Sequence, residues 1–149
     1  MLLVRQTVMS NEVHVFFHGE LPSRMAFDLG IEALGYSISV IDPKGSLEGQ
    51  SGFIPLRLFG EESGVEFDVF EGRETVDDLE PGVDPAFDRT ASFRWGGSFD
   101  EGFLAYCGAA ALARLTGGAI MDEYEGIVSI DAAIVTANAF LAERSRHTG

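Results

Sequence analysis

The residue types able to do chemistry are few in this chain, and their spacing keeps most of them apart. Cys107 with a histidine would make a thiol–imidazole nucleophile pair. It falls in the middle of a helical stretch with Tyr106 and Ala110, whereas reactive thiols favour helix N-termini. A buried cysteine is usually a small, inert hydrophobe, and that reading is preferred. His14 and His18 are the candidate metal ligands. On one strand their separation is roughly 13 Å at about 3.3 Å per residue, too far to share an ion. His147 belongs to the C-terminal tail, and no HExxH, CxxC or EF-hand spacing occurs.

The carboxylates and glycines offer little more. Asp100-Glu101 and Asp122-Glu123-Tyr124-Glu125 are placed at opposite ends of one helix, so they form no acid/base pair. Gly96-Gly97 ahead of that helix resembles an anion-binding turn. It lacks the lysine and spacing of a P-loop, and Asp100 and Glu101 repel a phosphate. Glu71 to Asp88 could hold a divalent cation but lacks the D-x-D-x-D-G order. No catalytic residue, metal site or cofactor is assigned.

Charge is the stronger signal. The net charge of −14 argues against nucleic acid or anionic membrane as a partner, since those need clustered Lys and Arg. From Glu61 to Asp84 ten acidic residues accompany one basic residue, Arg73. Glu61, Glu62, Glu74, Asp77, Asp78, Glu80 and Asp84 are the candidate partner-binding residues. Such a surface steers encounter with a basic protein; solubility alone is the competing explanation. Aromatics at Phe16, Phe70 and Phe99 are candidates for an oligomer seam.

These residues need elements to position them. Arg89 to Glu125 reads strand, Gly96-Gly97 turn, helix, Gly117-Gly118 stop, strand. Ser98 and Glu101 have capping-box spacing, and the apolar residues from Phe103 to Leu112 surround the helix, which places it inside the domain. Gly102, Ala105, Ala109 and Ala113 form a shallow face for close packing. Val13 to Phe17 alternates as a strand. A first helix opens at Pro22-Ser23 and closes at Gly35, with Arg24, Asp28 and Glu32 as an exposed ion-pair ladder. Ser37 to Ile41 is a strand. Phe53–Phe59 and Val65–Phe70 form a hairpin around a Gly60–Gly64 loop. Pro55 marks an edge, strand start or bulge. Residues 71–88 read as an irregular acidic loop, functional or mobile. Ile127-Val128 extends a strand, and Ser129 caps a last helix.

This order predicts an α+β fold, a two-layer sandwich whose largely antiparallel or mixed sheet carries about three helices on one face. The chain suits one domain over 1–149, with 1–10 and 145–149 as loose ends and Met9 as a plausible second start. No apolar run reaches the roughly 20 residues of a membrane span. No secretory signal is evident, and the single cysteine fits a reducing compartment, so the expectation is cytoplasmic.

Two stretches carry a resemblance. One is Ser51-Gly52-Phe53-Ile54-Pro55 with Gly60 and Ser63-Gly64-Val65-Glu66-Phe67. The other is Gly96-Gly97, Glu101, the run Ala109 to Ala113, Leu115-Thr116-Gly117-Gly118 and Asp122. Together they resemble small acidic bacterial proteins, some grouped with the immunity proteins of toxin systems. The resemblance spans Ser51 to Asp122 and brings no catalytic residues. It implies a non-catalytic protein that binds a basic partner. The alternative is a small-molecule or metal-dependent enzyme.

Overall fold

The computed structural model describes residues 11–50 and 52–148. The expectations for residues 1–10, with the second start at Met9, lie outside them. The elements in chain order are β1 (Asn11–Phe17), α1 (Arg24–Glu32), β2 (Ile38–Val40), β3 (Gly52–Leu58), β4 (Glu61–Glu71), α2 (Arg73–Leu79), β5 (Arg89–Trp95), α3 (Phe99–Thr116), β6 (Ala119–Asp122), β7 (Gly126–Val128) and α4 (Ile130–Thr148). The seven strands form one sheet in the order β2-β3-β4-β5-β1-β6-β7, and every pairing is antiparallel. The α+β class therefore holds, with the mixed-sheet option removed.

Helix α3 is the centre of the main layer. Gly102 to Ala113 are all buried, as an all-round apolar helix must be. Ser98 Oγ accepts the Glu101 amide, and Gly117 closes the helix at φ 70°, where only glycine is unstrained. The capping box is not reciprocal. Glu101 Oε1 accepts from the Gly96 amide, 3.2 Å away, so the Gly96-Gly97 turn is occupied by the chain's own carboxylate. The two helix glycines mark close approaches. A Cβ on Gly102 would stand 2.6 Å from the Phe140 ring, and one on Gly108 would stand 2.8 Å from Phe93. The shallow face is covered, with Gly102 against α4 and Ala105, Ala109 and Ala113 all buried, which leaves no open groove along it; Gly108 meets β5 on another side.

Several expectations are corrected. The hairpin loop is not Gly60–Gly64: Leu58 pairs with Glu61, and Phe59-Gly60 alone make the turn at φ 51° and 85°. Both angles are positive, as a two-residue type I′ turn requires. Glu61 and Glu62 are therefore strand residues. Pro55 lies within β3, but its carbonyl accepts from Ile41. Its missing N–H thus points to the side where β2 has just ended. Around α1, Asp28 accepts the Val40 amide at 2.7 Å and Arg24 reaches Gln50, in place of an ion-pair ladder. Helix α4 continues to Thr148, so residues 145–148 are helical.

The return of β6 has the largest consequence for chemistry. It runs back along α3, and Val13 pairs with Asp122. Asp122 consequently lies beside Tyr106, on the same cleft as Gly97 and Phe99. The placement of Asp122 and Asp100 at opposite ends of the helix is overturned. A four-residue strand at about 3.3 Å per residue recovers roughly half the rise of the preceding helix.

Four helices are found among the described residues, and they are not all on one face. Val13, Val15 and Phe17 of β1 join α1, α3 and α4 in the main core. Phe16, on the other face, joins Val76 of α2 and Met121 of β6 in a second cluster with Leu79, Val83 and Phe87.

Candidate functional site

Residues 71–88 are built quite differently from a loose acidic loop. Gly72 takes φ 102° and starts α2. Val76 turns down onto Phe16 and Met121 and is fully buried. A seven-residue helix is too short to persist alone in water, so this apolar contact and one cation hold it. Arg73 Nε donates to Asp77 Oδ1 at 3.0 Å. Its other nitrogens donate to the carbonyls of Val83, Asp84 and Phe87 on the returning chain. The only basic residue of the acidic run is thus committed to folding that run back on itself.

The candidate partner-binding residues divide into two groups. Glu61 and Glu62 stand at the start of β4, with Glu61 3.9 Å from Arg144. Glu74, Asp77, Asp78, Glu80 and Asp84 belong to α2 and the return. Strand β4 separates the two groups by roughly 33 Å at about 3.3 Å per residue, so they do not make one patch. Asp77 is paired with Arg73. Among the described residues no ion pair answers Glu62, Glu74, Asp78, Glu80 or Asp84. Glu74 and Asp78 are both exposed on α2.

A second cluster escaped the reading of the sequence. On the α2 face of the sheet the register sets Glu12 beside Arg94 and His14 beside Ser92, with Glu66 and Asp68 opposite on β4. His14 Nδ1 and Ser92 Oγ lie 2.6 Å apart, and His14 Nε2 is 3.4 Å from Glu12 Oε1. Arg94 reaches Glu12, Glu66 and Asp68 at 3.7, 3.4 and 3.5 Å. Burial, and then the Arg94 charge, push His14 down to about 4. The imidazole is therefore neutral at pH 7.

A serine, a histidine and a carboxylate in line suggest acyl transfer. Access decides against it, because Ser92 is 2% exposed and His14 4%. A nucleophile sealed in a sheet face meets no substrate, and the flanking amides are engaged in strand pairing. The row is a polar network across β1, β5 and β4, buried at His14 and Ser92 and partly exposed at its charged members. The signal for it was the alternation of Glu12, His14 and Phe16 against Val13, Val15 and Phe17. What the sequence could not supply was the identity of the strand carrying the partners.

Cys107 is fully buried and burial pushes its thiol up, as an inert core position requires. His18 is exposed and 3.7 Å from Asp88. Among the described residues no three His, Cys, Asp or Glu side chains are grouped to hold a metal ion, and no helix is long and apolar enough to cross a membrane. No protein-family model, no curated protein and no solved structure matches the chain.

Proposed function

We propose that this chain is a non-catalytic binding protein that meets a basic protein partner through the acidic surface of α2 and its return segment. One observation carries the reading. Glu74, Asp78, Glu80 and Asp84 stand on an ordered element whose single cation is engaged internally, so their charge is left for something outside the described chain. An ordered surface costs less to dock than a loose loop, since its conformational entropy is already lost. An immunity-type protein that blocks a basic toxin belongs to this class, as the resemblance of residues 51–122 implies.

The test uses the tagged full chain as bait at low salt. The double reversal Glu74→Lys with Asp78→Lys spares the Arg73–Asp77 pair. It should slow association by about tenfold or more and flatten its salt dependence, because steering acts mainly on the on-rate. Glu62→Lys, at the far end of β4, should change little. Unchanged association of the double variant removes α2 from the interface. Capture of no partner favours the solubility explanation.

A further inference from the structure

The return of β6 creates a cleft of about 380 Å³ at the end of the sheet where α3 begins, within the roughly 300–1,000 Å³ of small-ligand sites. Its floor is aromatic. Trp95 lies 5.4 Å from Tyr106 and 5.7 Å from Phe140, and Tyr106 lies 5.8 Å from Phe140, between ring centroids. Its wall is acidic. Asp122 is 6% exposed, with Oδ1 accepting the Tyr124 amide at 2.9 Å. On the rim, Glu125 is exposed, and Tyr124 projects with its hydroxyl donating to Asn11 Oδ1. No Lys or Arg is among the described lining residues.

From this arrangement we infer that the cleft binds an organic cation, an ammonium or guanidinium group on an aliphatic stem. Aromatic faces attract such a cation, most strongly where water is excluded, and the stem matches the apolar floor. Asp122 and Glu125 neutralise its charge. An anion would meet both carboxylates, and a neutral ligand would forgo their attraction, although Asp122 keeps the Tyr106 hydroxyl and the Tyr124 amide as partners in either case. The local field has the right sign. Burial first, then the charge of Asp122 and the hydrogen bond to its carboxylate, and then the charge of Glu123, raise Tyr106. Glu123 is itself raised, by burial first and also by the charges of Glu12 and Asp122. The inference goes beyond the partner proposal and stands without it, since the cleft and the exposed face of α2 are different surfaces. The cation has two sources, a free amine or a Lys or Arg side chain of a protein.

Trp95 is the only tryptophan, so intrinsic fluorescence of the full chain reports the floor of the cleft directly. The probes are n-butylammonium, N-acetyl-lysine methylamide, N-acetyl-arginine methylamide and the neutral n-pentanol, all at constant ionic strength. The expected result is a saturable change with the cations and none with pentanol. Tighter binding of the amino-acid amides assigns the cation to a protein side chain, and tighter binding of butylammonium assigns it to a free amine. Asp122→Asn should weaken binding at least tenfold. Because Asp122 also holds the Tyr124 amide, the rim variant Glu125→Gln gives a second reading and should weaken binding severalfold. The inference is overturned if pentanol responds as butylammonium does, if no cation saturates, or if neither variant changes affinity.

Discussion

His14 shows how a single residue ties pH to stability here. Its imidazole is neutral when folded, with its pKa lowered from 6.5 to about 4, chiefly by burial and then by Arg94. Between those values the unfolded chain binds the proton and the folded chain does not. Stability is therefore full above the unfolded value near 6.5 and is lost as pH falls towards 4. At about 1.36 kcal/mol per unit the loss is about 3 kcal/mol. Urea denaturation at pH 7 and pH 4.5 should show about 2 kcal/mol of this drop, and His14→Gln should remove most of it while being less stable at pH 7. Equal pH dependence of the two proteins would place the titration elsewhere. Cys107 makes the complementary case. Its mid-helix position among apolar residues was enough to assign it to the core, because burial of a central helix is decided by its own sequence. Cys107→Ser should cost about 1–3 kcal/mol, a hydroxyl replacing a thiol in an apolar site. The native thiol should resist labelling until the protein unfolds, and rapid labelling of the folded chain would contradict its burial. The His14–Ser92 pair was beyond that kind of reasoning, since it depends on which strands become neighbours.

At the scale of elements, local chemistry was legible where a residue closes its own turn and obscure where the closing group is distant. Ser98, Gly117 and Ser129 cap within a few residues of themselves, so α3 and the start of α4 could be placed from spacing. Helix α2 could not, because it has no side-chain cap and its second anchor is a set of carbonyls ten to fourteen residues away. Arg73 appeared as one cation among ten acids, with nothing nearby to show that it is a tie. The hairpin itself was legible, but its turn was misplaced for a related reason: Gly60–Gly64 looks like a loop, whereas the type I′ turn uses Phe59, a residue rarely found at positive φ. If Arg73 holds α2, Arg73→Ala should expose residues 73–88 to limited proteolysis while the sheet stays folded. Losing charged hydrogen bonds to a carboxylate and several carbonyls should cost about 2–3 kcal/mol. Protection of 73–88 unchanged in hydrogen exchange would mean that the Val76–Phe16 contact suffices alone.

For the molecule as a whole, the same surplus of acid acts on folding and on encounter in opposite senses. A net charge of −14 on a compact chain repels itself, whereas unfolding lets the charges separate. Added salt screens this repulsion, with a Debye length falling from about 30 Å at 0.01 M to about 8 Å at 0.15 M. The short pairs of Arg73 and Arg94 span 3.0 to 3.7 Å, well inside either length, so they lose less than the long-range repulsion does. The melting temperature should therefore rise between those salt concentrations by roughly 2–4 °C, equivalent to about 1 kcal/mol at this size. Each reversal of acid to lysine adds two charges, so Glu74→Lys with Asp78→Lys moves −14 to −10. That variant should melt higher at low salt and gain less from added salt. A partner drawn in by the acidic surface would respond in the other direction, its association slowing as the fold grows more stable. Scanning calorimetry and stopped-flow association over one salt series separate the two effects. A melting temperature that falls with salt would show that the ion pairs outweigh the repulsion, and the exposed acids of α2 would then carry no cost to the fold.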